Sequence, residues 1–216
     1  MIEFEILKNS YNDYLKTTKK RYIFSDEILY EMCKNYPDHK KQEIIIGKLI
    51  LIGRTYAAAI ERRKISDNYQ GDKFYDKKVG PEMEKIGKEL DLRLEKLRKS
   101  KGSIKNKINE ILGLHKFLMD VFYRITHLEK RSLASKYLHF HCPEKFFIYD
   151  SRARSAINKL VKKKDIKDYS SINDYDPEYT DFVCRMTVLQ EKLKESFGSE
   201  ATTPRKLDGF LLKFNL

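Results

Sequence analysis

Cysteine is scarce and poorly placed for crosslinking. Cys33, Cys142 and Cys184 are odd in number and far apart, which gives neither a disulfide framework nor zinc or iron–sulfur ligand spacing. Reduced core thiols are the expectation. Chain breakers are few: five Pro and nine Gly in 216 residues leave long stretches free to run as helix. No apolar run reaches the ~18 residues needed to span a bilayer. Residues 1–11 carry acidic side chains and no apolar h-region, so no secretory signal is expected there. These absences predict no metal, no cofactor, no membrane span and a cytoplasmic location.

Positive charge is plentiful. Forty-four Lys and Arg oppose 32 Asp and Glu, a formal net charge of +12. Such a surface attracts polyanions and speeds their encounter. Nucleic acid is the leading partner class and an anionic membrane surface the second; a Lys-rich compositional bias would give the same count. Hydrophobic residues make up 41 %, enough for a core. The length suits one large domain or two small helical lobes sharing a cleft.

Periodicity predicts helices almost throughout. Ser25, Asp26 and Glu27 open a helix that ends near Tyr36 and Pro37. A second starts at Asp38 or His39 and runs through Ile44, Ile45, Ile46, Leu49, Ile50 and Ile52 to about Lys64, apolar on nearly every side. Residues 65–80 read as a polar loop holding Tyr69, Phe74 and Tyr75. Met83, Ile86, Leu90, Leu94 and Leu97 form an amphipathic stripe after Pro81. Lys99 to Ser103 reads as a hinge, dividing an N-terminal helical region, 1–100, from a second region, 101–216. There a helix carries Ile104 to Ile125, a shorter one spans about 131–141 and ends at Pro143, and Asp150 caps another that reaches about Lys163. Asp176-Pro177-Glu178 opens a further helix, and Thr203-Pro204 the last. No strand pair and no repeat is evident, so the fold class expected is all-α, a two-lobed bundle of eight or so helices.

The stretch from Arg131 to Arg154 carries the chemistry. A short helix with Ala134, Ser135 and Lys136 leads to a Pro turn and an extended apolar run, Phe146 to Tyr149. Asp150 then stands at the mouth of a new helix, followed by Arg152 and Arg154. The order resembles the helix-hairpin-helix superfamily of DNA glycosylases. In that family a Gly-Val-Gly-x-Lys-x-Ala hairpin grips the DNA backbone and a later Asp catalyses, commonly about 16 residues after the hairpin Ala. Ala134 and Asp150 are 16 apart (150 − 134). Tyr137-Leu138-His139-Phe140, Phe147-Ile148-Tyr149-Asp150-Ser151-Arg152 and the terminal Pro204 to Leu211 look like a divergent branch of it. The likeness covers mainly residues 104–216. It departs in two places: Leu128 to Ser132 holds none of the hairpin glycines, and Ser132 stands where bifunctional members carry a Schiff-base Lys.

The resemblance implies a protein that flips a base out of double-stranded DNA and hydrolyses its N-glycosidic bond, without a cofactor and most simply as a monofunctional monomer. Asp150 would be the catalytic carboxylate, stabilising positive charge on the sugar or activating water. Tyr149, His139 and His141, with Arg54 and Tyr56 reaching in from the N-terminal region, would form the base pocket. Lys130, Arg131, Ser132, Ser135, Lys136, Arg152 and Arg154 would hold DNA; Lys130 and Lys136 keep a lyase role open. Each residue also has a plainer reading. Asp150 alone suits a helix N-cap. The two histidines suit core or capping positions. Arg54, Ala58 and Glu61, and likewise Tyr56, Ile60 and Arg63, suit a helix face with surface ion pairs. A non-catalytic DNA-binding module of the same fold, or a helical phage-defence or toxin–antitoxin interaction protein, is the alternative function.

Overall fold

The structure, a computed structural model, describes residues 4–17, 23–62, 69–169, 171–172 and 174–214. Its α-helices are α1 (Phe4–Thr17), α2 (Ile23–Asn35), α3 (Gln42–Thr55), α4 (Asp72–Phe74), α5 (Gly80–Lys99), α6 (Ile108–Thr126), α7 (Arg131–His141), α8 (Ser151–Leu160), α9 (Pro177–Ala201) and α10 (Pro204–Phe214). No strand occurs among the described residues, so the all-α expectation holds. None of their helices is long and apolar enough to cross a membrane. The chain forms two compact units, residues 22–146 and residues 1–21 with 147–216. Neither boundary falls near residue 100. Helices α5 and α6, on either side of that point, pack on each other inside the first unit, with the turn at Ser100 to Ser103 joining them.

In the unit 22–146, α3 packs against α2, α5 and α7, and α6 packs against α5 and α7. Ile45, Leu49 and Ile52 of α3, Met83, Leu90 and Leu94 of α5, and Ile111, Leu118 and Phe122 of α6 are buried together in this core. The α5 stripe is the one its spacing predicts, with Ile86 at its half-buried edge. Helix α3 is shorter than its apolar run suggests. It begins at Gln42, after an irregular segment, 38–41, that ends on an extended Lys41, and stops at Thr55. There Ala57 turns left-handed (φ 51°) and the Ala58 amide donates to Gly53 O at 2.7 Å. The fold-back lays Ala59 on Gly53, where a Cβ would sit 2.9 Å from its Cα. The shared helix faces predicted beyond residue 55 therefore do not exist, and Arg63 lies outside the described residues.

The expected polar loop is mostly helical instead. After Tyr69 to Gly71 the chain enters α4, continues through a π-helical turn, Tyr75–Val79, and runs into α5. Phe74, Tyr75 and Val79 are buried, a core face hidden in the sequence by the charged residues between them. Ser66, Asp67 and Asn68 lie outside the described residues.

The other unit joins the two ends of the chain. Helix α8 packs on α9 and α10, and α1, which no sequence pattern announced, packs on the same two helices. Tyr11 anchors α1: its hydroxyl donates to Ala201 O at 2.5 Å, and its ring meets Phe197 and Phe210 with centroids 5.2 and 5.0 Å away. Asp176 caps α9 as expected, accepting from the Tyr179 amide at 2.8 Å, with Pro177 in the first turn.

Candidate functional site

The Asp150 turn is built from an apolar run that cannot stay in solvent. Phe146, Phe147, Ile148 and Tyr149 are all buried. The next residue, Asp150, is extended (φ −149°, ψ 169°) and half-buried. Its Oδ1 accepts from the Ala153 amide at 2.8 Å, closing the first turn of α8. The helix-cap reading of Asp150 is thus fulfilled by one oxygen, and Oδ2 has no partner among the described residues. Beside it, the Tyr149 hydroxyl donates to Glu178 at 2.6 Å, and Glu178 also pairs with Arg154. The Tyr149 ring stands edge-on to Phe182, centroids 5.1 Å apart. Arg152 and Arg154 are exposed on the first turn of α8. The structure therefore groups Tyr149, Asp150, Arg152 and Arg154 within one unit, with Glu178, which the sequence reading did not single out.

The hairpin positions belong to the other unit. Helices α6 and α7 pack on each other and are joined by four residues, 127–130. His127 takes the left-handed conformation (φ 55°) that ends α6, its amide donating to Tyr123 O at 2.7 Å. His115, fully buried on α6, contacts Arg131 O at 3.1 Å and ties the start of α7 in place. The cations expected to grip phosphate are engaged locally: Lys130 donates to Arg62 O, and Arg131 pairs with Glu129 at 2.8 Å. Ser132 is half-buried and accepts from Lys136 Nζ at 2.6 Å. Ser135 and Lys136 are buried, the Ser135 hydroxyl donating to Ser132 O. Their polar atoms, which the sequence assigned to DNA, are turned to Ser132 on the same helix.

The remaining pocket candidates divide. His139 is fully buried, with Nδ1 donating to Phe146 O at 2.8 Å and Nε2 meeting the Tyr30 hydroxyl at 2.7 Å. Tyr56 lies near it in the same aromatic cluster, edge-on to Phe140 at 5.4 Å, with its hydroxyl donating to Asp26 at 2.5 Å and Lys136 Nζ 6.0 Å from its ring centroid. Arg54 is apart from them, exposed and paired with Glu61 at 3.6 Å.

His141 belongs to a network the sequence did not announce. His39 Nδ1 pairs with Asp91 at 2.5 Å, and its Nε2 lies 2.8 Å from the Tyr137 hydroxyl. The His141 ring stacks on His39 and Tyr137 with centroids 4.8 and 4.9 Å away. Burial drives the His141 pKa well below the ordinary value, helped by the nearby His39, Lys48 and Arg98 charges; burial also lowers His39, against the opposing pull of Asp91. Lys48 is buried in the same region, donating to Asp38 O at 2.9 Å, and burial lowers its pKa too. Residues 39, 91 and 137 come from three distant segments with no local motif to connect them.

No protein-family model matches the chain, and no curated protein or solved structure matches it.

Proposed function

We propose that this protein is a DNA glycosylase in which Asp150 acts on the N-glycosidic bond. The observation that carries the reading is the division of labour at Asp150: Oδ1 holds the start of α8, while Oδ2 remains uncommitted on a half-buried carboxylate. A carboxylate fixed in this way can stabilise an oxocarbenium-like sugar or orient the attacking water without first rearranging. The order of elements adds support: a helix, a four-residue turn, a second helix, an extended apolar run and a capping Asp follow one another as the resemblance requires. The net charge of +12 suits a polyanionic substrate.

Base release decides the matter. Wild type and Asp150→Asn are incubated with DNA containing alkylated, oxidised, deaminated or hypermodified bases, and alkali-sensitive breaks are counted. We expect breaks with wild type on at least one substrate and a loss of roughly a hundredfold or more in the variant, the scale of removing one preorganised charged group. Salt-sensitive DNA binding by both proteins with no breaks on any substrate would leave a non-catalytic DNA-binding module.

A further inference from the structure

A cavity of about 460 Å³ opens within the unit 22–146, where the end of α2, the end of α5 and the end of α7 meet. Its size is that of a small-molecule site. Tyr30, Phe140, Pro37 and Pro143 give it flat apolar walls. Lys34, Arg98 and Lys145 give it three cations against the single anion Glu144.

His141 supplies the second observation. It lines this cavity and is only 4 % exposed, yet its Nε2 is buried with no hydrogen-bond partner. The other ring nitrogen, Nδ1, lies 3.3 Å from Arg98 Nη2, and Arg98 Nε donates to His141 O at 2.9 Å. A guanidinium only donates, so Nδ1 accepts and a neutral ring carries its proton on Nε2. Burial keeps the ring neutral. The result is an unsatisfied buried N–H on the ring edge turned away from Arg98, which an acceptor oxygen would complete.

We propose that this cavity binds a small ring-bearing organic oxyanion, its ring against Tyr30 and Phe140, its charged oxygens on Arg98 and Lys34, and a further acceptor oxygen on His141. The oxyanion chemistry is common to carboxylates and phosphate monoesters. The site is for binding, not thiol chemistry: burial pushes Cys33 up to about 12 and Cys142 up to about 11, so both remain protonated walls. The inference is independent of Asp150, which belongs to the other unit.

The test uses the full chain, with thermal shift and imidazole NMR as readouts. The probes are naphthoate, thymidine monophosphate, the neutral isostere naphthamide and inorganic phosphate alone. At least one ring-bearing anion should raise the melting temperature and perturb the His141 resonances, with naphthamide and inorganic phosphate at least tenfold weaker; which anion binds separates carboxylate from phosphate monoester. His141→Phe, which keeps the ring and removes the N–H, should abolish binding. Lys34→Gln, at an exposed position, should fold normally and weaken binding roughly twofold to fivefold; it decides the question if His141→Phe fails to fold. Binding of neither anion, equal binding of naphthamide or of phosphate alone, or wild-type affinity in a folded variant overturns the proposal.

Discussion

At Asp150 a helix cap and the proposed chemical role fall on one side chain, and conservative substitutions can separate them. Asparagine keeps a capping oxygen, so Asp150→Asn should unfold within a few tenths of a kcal/mol of wild type, whereas Asp150→Ala should lose about 1 kcal/mol as the Ala153 amide loses its acceptor. Urea unfolding of both variants checks this. Equal destabilisation by the two would mean that the carboxylate charge, and not the cap, holds α8. The buried histidines give a second residue-scale expectation. His39 and His141 have depressed pKa values in the folded chain, so the unfolded chain binds protons first as pH falls through the ordinary histidine value of about 6.5. The histidine contribution to stability should therefore be level above neutrality and decline below it, by at most about 1.4 kcal/mol per pH unit for each histidine. The partners that set this response are Asp91 and Arg98 on α5, Lys48 on α3 and Tyr137 on α7. Denaturant midpoints measured at about pH 7.5 and 5.5, for wild type and His141→Phe, should show a smaller acid loss in the variant; identical losses would place the titration elsewhere.

Elements were legible where polar chemistry and periodicity coincide. Asp176-Pro177 for α9, Asp150 for α8, Pro143 after α7 and the α5 stripe all stand in the structure as their residues imply. Helix α3 was overextended because its end is set by a fold-back over Gly53, which leaves no mark on hydrophobic spacing. The network of His39, Asp91 and Tyr137 was invisible for the same kind of reason: it depends on how closely the Asp38–Lys41 segment approaches α5. Gly87 permits that approach, since a Cβ there would stand 2.3 Å from His39 O. Gly87→Ala should accordingly destabilise by about 1–3 kcal/mol through overpacking against backbone. Gly47, inside α3 with nothing within 4 Å of its notional Cβ, should behave oppositely, with Gly47→Ala gaining about 0.5–1 kcal/mol from helix propensity. Thermal melts of the pair provide the comparison, and a neutral Gly87→Ala would mean that the segment is free to retreat.

On the scale of the whole molecule, charge makes the clearest statement. With 44 basic residues against 32 acidic ones, the proposed DNA binding should weaken steeply with salt, with log K declining by about 0.9 per phosphate neutralised on a log-salt axis. A flat salt response in a binding titration would redirect attention to protein partners. The arrangement of the units adds a consequence in time. Residues 1–21 complete a unit whose other members begin at residue 147, and Tyr11 rests on Ala201 and Phe210. On the ribosome α1 is therefore made before the intervening unit and housed after it. The intervening unit can close while α1 waits, unpartnered, for α9 and α10 to emerge. A stalled or truncated product lacking those helices would present α1 to the cell with its aromatic face uncovered, a ready mark for chaperones and proteases.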